Sequence, residues 1–297
     1  METVLSVSKL TKNFGKLCAV NQLDLEVKRG QVFGMLGPNG SGKTTTLGML
    51  MGVVNPTAGN FTWFAEPASH HTRKKIGAVL EHPIFYPYLS GRKNLELNAL
   101  IKNANPANID KVLNIVELSG RQHDKYKTYS LGMKQRLAIA SALVSDPIIL
   151  ILDEPTNGLD PMGIAEIREI IKRIAADGKT IILASHLLDE VQKVCTHFAV
   201  LKRGTLMHIG PVDEVGKGEE IVEVQAFHDD LGVLLQEFIG SATIKKEDGQ
   251  FQVMMKEGFH SADLNRFLFE CGIVASHLAT RKKSLEKQFL EILADAK

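Results

Sequence analysis

Residues 31–50 read QVFGMLGPNGSGKTTTLGML. Gln31 to Leu36 is a short apolar run, and it ends in a glycine-rich turn. The segment from Thr44 to Met51 has a helical pattern. The stretch between them, GPNGSGKTT from Gly37 to Thr45, fits G-x-x-x-x-G-K-[ST] in the strand–loop–helix setting that this pattern requires. Its glycines let the backbone wrap so that several N–H groups face one point, and the helix N-terminus adds positive potential there. Such a nest holds phosphate oxygens. Lys43 is placed to reach β- and γ-phosphates, and the Thr44 hydroxyl to ligate Mg²⁺.

A second stretch completes this chemistry. IILILDE, Ile148 to Glu154, is a continuous aliphatic run that delivers two adjacent carboxylates at its end. A buried strand reads this way, and α/β ligand sites lie at the C-terminal ends of strands. Asp153 is placed to hold the Mg²⁺ shell, and Glu154 to orient or deprotonate water.

Around these two segments the first 218 residues read as alternating strands and helices. Ile164 to Ala176 carries isoleucines at 164, 167, 170, 171 and 174, the spacing of one helix face, with Gly178 as its stop. Thr180 to Ala184 is a further strand. This alternation predicts a parallel sheet covered on both faces. The segment from about Pro83 to Asp146 is polar and mostly helical, and it interrupts the strand series as an inserted lobe.

The tail has its own rhythm. It predicts strands at Ile221–Phe227, Thr243–Lys246, Phe251–Lys256 and about Ile273–Ala279. Helices fall at Asp229–Ile239 and from Ser261, as N-cap, to Cys271, with a last amphipathic helix from Ser284. Glu247, Asp248 and Gly249 form the hairpin signal between the middle strands. That β-α-β-β-α-β order is the pattern of a ferredoxin-like α+β module. From Glu219 to Lys297 there are 9 basic and 14 acidic residues, against 26 and 20 before it. This shift, beside the VGKG stretch at 215–218, places a boundary between residues 1–215 and 219–297.

Composition bounds the function. The 297 residues carry a formal net charge of +1 and are 44% hydrophobic, so bulk electrostatic binding of nucleic acid is not expected. The longest purely aliphatic run is five residues, where a membrane-crossing helix needs about 20. The opening METVLSVSKL has no secretory pattern. Cys18, Cys195 and Cys271 are odd in number and lack C-x-x-C spacing, which argues for a reducing compartment and against zinc.

Further motifs follow in order. YSLGMKQRLAIA spans Tyr129 to Ala140, TNGLD spans Thr156 to Asp160, and Ser185-His186 closes a strand. Phosphate loop, signature, acidic pair, aspartate loop and isolated histidine together resemble the nucleotide-binding subunit of an ABC transporter, over residues 1 to about 215. The resemblance implies a P-loop NTPase cassette, with a RecA-like core, an antiparallel β lobe and an inserted helical lobe at about 83–146.

Its cofactors would be ATP and Mg²⁺. Gly37, Pro38, Asn39, Gly40, Ser41, Gly42, Lys43, Thr44 and Thr45 would hold the nucleotide, with Phe14 stacked on adenine. Ser130 and Gly132 of a second copy would close over the γ-phosphate. Glu154 would be the base, His186 would link it to the γ-phosphate, and Asp160 would carry contacts across the dimer. Phe85, Tyr86, Tyr88, Leu89, Asn94, Leu95 and Leu97 would form a docking groove for a transmembrane permease. The partners implied are that permease and a second ATP-binding subunit, most simply an identical one, at the cytoplasmic face of the membrane.

The chain departs from the family twice. Glu81 stands where a glutamine is usual, keeping an oxygen for Mg²⁺ but losing the amide donor. Leu131 replaces a glycine in the signature. These departures, with EHPIFYPYLSGRKNL from Glu81 to Leu95, resemble the branch that exports antibiotic peptides or similar amphiphiles. Two other readings stay open on the residues alone: a soluble ABC ATPase without a permease, and a module that reads ATP without hydrolysing it.

Overall fold

The computed structural model describes residues 2–80, 84–214, 220–228, 230–247 and 250–282. The chain divides into two compact units, Met1–Val212 and Asp213–Lys297.

The first unit opens with two long strands, β1 (Thr3–Phe14) and β2 (Leu17–Lys28), paired antiparallel around Gly15 at φ +58°. Val7, Leu10, Val20, Leu23, Leu25 and Val27 of this hairpin are buried. Its register shifts in several places, and Lys9 and Gln22 adopt positive φ. Next come β3 (Val32–Leu36), buried along its whole length, and α1 (Lys43–Leu50). β4 (Ala58–Trp63) and β5 (Glu66–Pro67) complete a first sheet in the order β2-β1-β4-β5. Trp63 is fully buried, and its indole N–H donates to the Leu50 carbonyl, 3.1 Å away, at the end of α1.

α2 (His70–Lys74) is capped by Ser69, whose hydroxyl accepts from the Thr72 N–H at 3.2 Å. β6 (Ile76–Val79) leads into the helical lobe, formed by α3 (Gly91–Lys102), α4 (Asn108–Ile115) and α5 (Leu131–Leu143). The strand series then resumes with β7 (Ile149–Asp153), α6 (Pro161–Ala176), β8 (Thr180–Ser185), α7 (Leu188–Val194), β9 (His197–Lys202) and β10 (Thr205–Pro211).

The main sheet runs β10-β9-β3-β8-β7-β6. The pairs from β9 to β6 are parallel, and β10 is an antiparallel edge. The predicted parallel sheet is therefore observed. Every residue of β7 and β8 is buried, as both-face coverage demands. Each Leu or Ile so buried contributes about 1.5–3 kcal/mol. Gly77 in β6 allows α5 to approach closely, since a Cβ there would lie 2.2 Å from the Ala142 carbonyl oxygen.

The second unit contains β11 (Glu220–Gln225), α8 (Leu231–Glu237), β12 (Ser241–Glu247), β13 (Gln250–Met255), α9 (Ser261–Glu270) and β14 (His277–Lys282). Its sheet order is β12-β13-β11-β14, antiparallel throughout, which is the split β-α-β arrangement. Val222, Val224, Leu235, Val253, Leu264 and Leu268 form its core.

Several local details differ from the sequence reading. α9 takes His260, not Ser261, as N-cap, because Asp263 reaches back to accept the His260 N–H at 2.9 Å. The last strand lies at His277–Lys282 rather than about 273–279, because the chain turns at Cys271–Gly272 after α9, with Gly272 at φ +76°, and pairs with β11 only from His277 on. The helix expected from Ser284 lies outside the described residues.

Candidate functional site

β3 delivers the 37–45 loop to the C-terminal edge of the main sheet, where β7 and β8 also end. The loop is wound tightly. A Cβ at Gly37 would lie 2.3 Å from the Leu201 carbonyl oxygen, so only glycine fits there. Gly42, at φ +102°, is the N-cap of α1 and offers no side-chain cap, leaving the first-turn N–H groups to an external acceptor. The Ser41 hydroxyl is buried with no hydrogen-bond partner among the described residues. A phosphate chain suits such a cradle.

The loop forms one wall of a cavity of about 470 Å³. Residues 39–45 line it together with Phe14, Leu17, Cys18 and Ala19 of the hairpin, Glu154, and Arg203. Phe14 stands at the end of β1, 51% exposed, with Lys12 Nζ 4.9 Å from its ring centre. An exposed aromatic face at the cavity mouth suits a stacked base.

Lys43, only 5% exposed, donates to the carbonyl oxygens of Gly37 at 2.7 Å and Pro38 at 3.3 Å. Its ammonium lies 3.5 Å from Glu154 Oε1. The other Glu154 oxygen, Oε2, is 2.7 Å from His186 Nδ1. Lys43, Glu154 and His186 therefore form one chain across the strand ends. Glu154 holds φ +48°, a left-handed conformation that costs energy for a side-chain-bearing residue, and its N–H donates to the Ala184 carbonyl at 3.0 Å. The preceding carboxylate, Asp153, is buried at the end of β7.

The turn carrying His186 is braced from behind. Ser185 Oγ donates to Glu190 Oε2 at 2.6 Å and accepts the Leu187 N–H at 3.0 Å. Ser185 and Glu190 are both buried.

Thr44 and Asp153 supply hard oxygen donors of the kind Mg²⁺ prefers. Among the described residues no group of three or more His, Cys, Asp or Glu side chains could hold a metal ion. This donor set fits an ion that takes its remaining ligands from phosphate and water. Glu81 lies outside the described residues.

Ser130 and Gly132 do not line this cavity. Ser130 caps α5, its hydroxyl accepting the Met133 N–H at 3.2 Å, and Gly132 lies in the first turn. Both belong to an accessible helix start, with Leu131 45% exposed. Leu131 packs toward Gly158 of the TNGLD segment. Asp160 caps α6 by accepting the Gly163 N–H at 2.8 Å.

Part of the expected docking groove is interior. Asn94 is buried and brackets the preceding turn, accepting the Tyr86 N–H at 2.8 Å and donating to the carbonyls of Tyr86 and Ser90. Leu95 is core. Tyr86 and Tyr88 are exposed with rings 5.9 Å apart, whereas Phe85 packs on Tyr126. Sequence reasoning missed Leu17, Cys18, Ala19 and Arg203, which reach the cavity through tertiary folding and carry no motif.

Comparisons with known proteins bear on the family and the fold. A family described as ABC transporter matches residues 20–157. The chain is 43% identical over 219 residues to an uncharacterized ABC transporter ATP-binding protein of Bacillus subtilis, covering 72% of each chain. It is 38% identical over 304 residues to the bacitracin transport ATP-binding protein BcrA of Bacillus licheniformis, covering 99% of this chain and 98% of that one. An ATP-binding cassette solved as a dimer after hydrolysis, with ADP and Pi, superimposes with TM-score 0.62 at 26% identity, over 70% of this chain and 98% of the other.

Proposed function

The chain belongs to the ABC transporter family as an ATP-binding subunit, and on that premise we propose that two copies close around two ATP molecules. Their closure drives a separate transmembrane permease that exports antibiotic peptides or similar amphiphiles. Residues 1–215 form the cassette and 219–297 an accessory module. The complex sits at the cytoplasmic face of the membrane; no described helix is long and apolar enough to cross it.

The observation that carries this reading is the Lys43–Glu154–His186 chain at the rim of the loop. An arriving triphosphate competes for Lys43 and draws it from Glu154 Oε1. The freed oxygen takes a proton from water as the water oxygen attacks the γ-phosphorus. The bond to the β–γ bridging oxygen breaks, and that oxygen leaves with ADP. His186 holds the other carboxylate oxygen through Nδ1, which leaves Nε2 for the γ-phosphate. Thr44 and Asp153 would hold Mg²⁺, which when bound would supply charge neutralisation to the phosphate chain.

Ser130 caps a helix whose start lies outside the chain's own cavity, which supports its use by a second copy. Its hydroxyl and helix dipole would approach the γ-phosphate from the far side. The exporter assignment is supported by the near-complete alignment with the bacitracin transport protein.

Two measurements test this reading. Glu154→Gln, saturated with ATP and Mg²⁺, should elute as a dimer, and Ser130→Arg in that background should return it to monomer. Expression with its permease should raise resistance to bacitracin-like peptides, and Lys43→Ala should abolish the gain. Solitary Glu154→Gln molecules at saturating nucleotide would defeat the dimer, and peptide resistance indifferent to Lys43 would defeat the export assignment.

A further inference from the structure

Arg203 belongs to none of the nucleotide-site motifs, yet it stands in the wall of the nucleotide cavity. We propose that its guanidinium is a second cation for the phosphate chain of the nucleotide, acting beside Lys43. The proposal rests on the nucleotide reading of that cavity.

Charge balance is the first argument. Among the described residues, the charged side chains lining the cavity are Lys43, Glu154 and Arg203. Lys43 is already within ion-pair distance of Glu154. Among the described residues Arg203 makes no ion pair or hydrogen bond. A polyphosphate with Mg²⁺ still carries net negative charge, and among the described residues Arg203 is the cation in this wall that no carboxylate neutralises.

Rigidity is the second. Arg203 lies in the turn between β9 and β10 and holds φ +49°, which an arginine adopts only at a cost. The following Gly204 anchors the turn on both sides. Its N–H donates to the Ser41 carbonyl of the phosphate loop at 2.9 Å, and its carbonyl accepts the Asn21 N–H from β2 at 2.8 Å. A Cβ at Gly204 would lie 2.7 Å from the Ala19 oxygen, so the turn, the loop and β2 are in close backbone contact. The stem of Arg203 is thus fixed to the same frame as the phosphate cradle. A planar guanidinium on such a stem suits phosphate oxygens geometrically as well as electrically.

Binding of ATP, ADP, AMP and adenosine to the full chain, measured by competition with a fluorescent ATP analogue, tests the assignment. Arg203→Asn is the main variant, because asparagine tolerates positive φ. Arg203→Lys and Arg203→Glu vary the charge, and melting curves confirm folding. The Asn variant should bind ATP and ADP roughly 10- to 150-fold more weakly, the range of one charge-assisted contact. Adenosine should be unaffected. The Glu variant should lose more and the Lys variant less, and all losses should shrink at high salt. Unchanged ATP affinity in both the Asn and Glu variants would overturn the proposal, as would an equal loss for adenosine. A wild-type chain that bound no ATP would instead overturn the nucleotide reading and the proposal with it.

Discussion

Glu154 Oε2 lies 2.7 Å from His186 Nδ1, so the last carboxylate after β7 and the first residue after β8 act as one unit. The pairing depends on the left-handed backbone at Glu154, which faces the carboxylate toward the neighbouring strand end. Removing either partner should lower kcat for ATP hydrolysis and leave nucleotide affinity nearly intact. Glu154→Gln should cost about 10²- to 10⁴-fold, the range for a lost general base. Steady-state ATPase assays with parallel binding titrations give both numbers. Full turnover by Glu154→Gln would remove this residue from the chemistry.

Phe14 offers a half-exposed ring at the cavity mouth. Phe14→Ala should raise KM for ATP by roughly five-fold or more, with kcat held, because base stacking contributes about 1–3 kcal/mol. Phe14→Tyr should retain wild-type KM. An alanine variant with unchanged KM would show that the ring only packs.

His208 is half-buried in β10, its ring centre 5.1 Å from that of Phe198, and its Nε2 is buried without a partner among the described residues. Burial lowers its pKa below the ordinary imidazole value. The sign follows directly. Above about pH 6.5 the ring is neutral in both folded and unfolded chains. On acidification the unfolded chain takes the proton first, so stability falls until the folded ring also titrates. Melting temperature should drop from pH 7 toward pH 5, and His208→Phe should flatten part of that slope. An unchanged slope would assign the loss to other groups.

The thiols should separate by reactivity. Burial pushes Cys195 up to about 12, whereas Cys18 and Cys271 are exposed. Iodoacetamide should therefore modify Cys18 and Cys271 in the native chain and spare Cys195. Because Cys18 lines the cavity proposed for the nucleotide, saturating ATP should slow its modification and not that of Cys271. Peptide mass spectrometry reads all three sites. Equal Cys18 labelling with and without ATP would place the nucleotide elsewhere.

What the sequence disclosed was what is locally encoded. The phosphate loop between a strand and a helix, and the aliphatic run ending in Asp153 and Glu154, carry their pattern in consecutive residues. The β1–β2 hairpin was not read from its own residues, because shifts in register and positive φ at Lys9 and Gln22 break the two-residue alternation. Asn94 was expected in the docking groove, since a polar side chain on a helix gives no sign that it will be buried bracketing the preceding turn. Arg203 was invisible for the same reason. Its place in the cavity comes from the docking of Gly204 against Ser41 and Asn21, across more than 150 residues of chain.

The chain contains a single tryptophan, and it abuts the far end of the helix whose beginning forms the phosphate cradle. Its emission should be blue-shifted in the native fold. Any tilt or slide of α1 during turnover would disturb the Trp63–Leu50 bond and so change that signal. The protein thus comes with a label-free optical reporter, and stopped-flow fluorescence of the unmodified chain can time nucleotide capture and release.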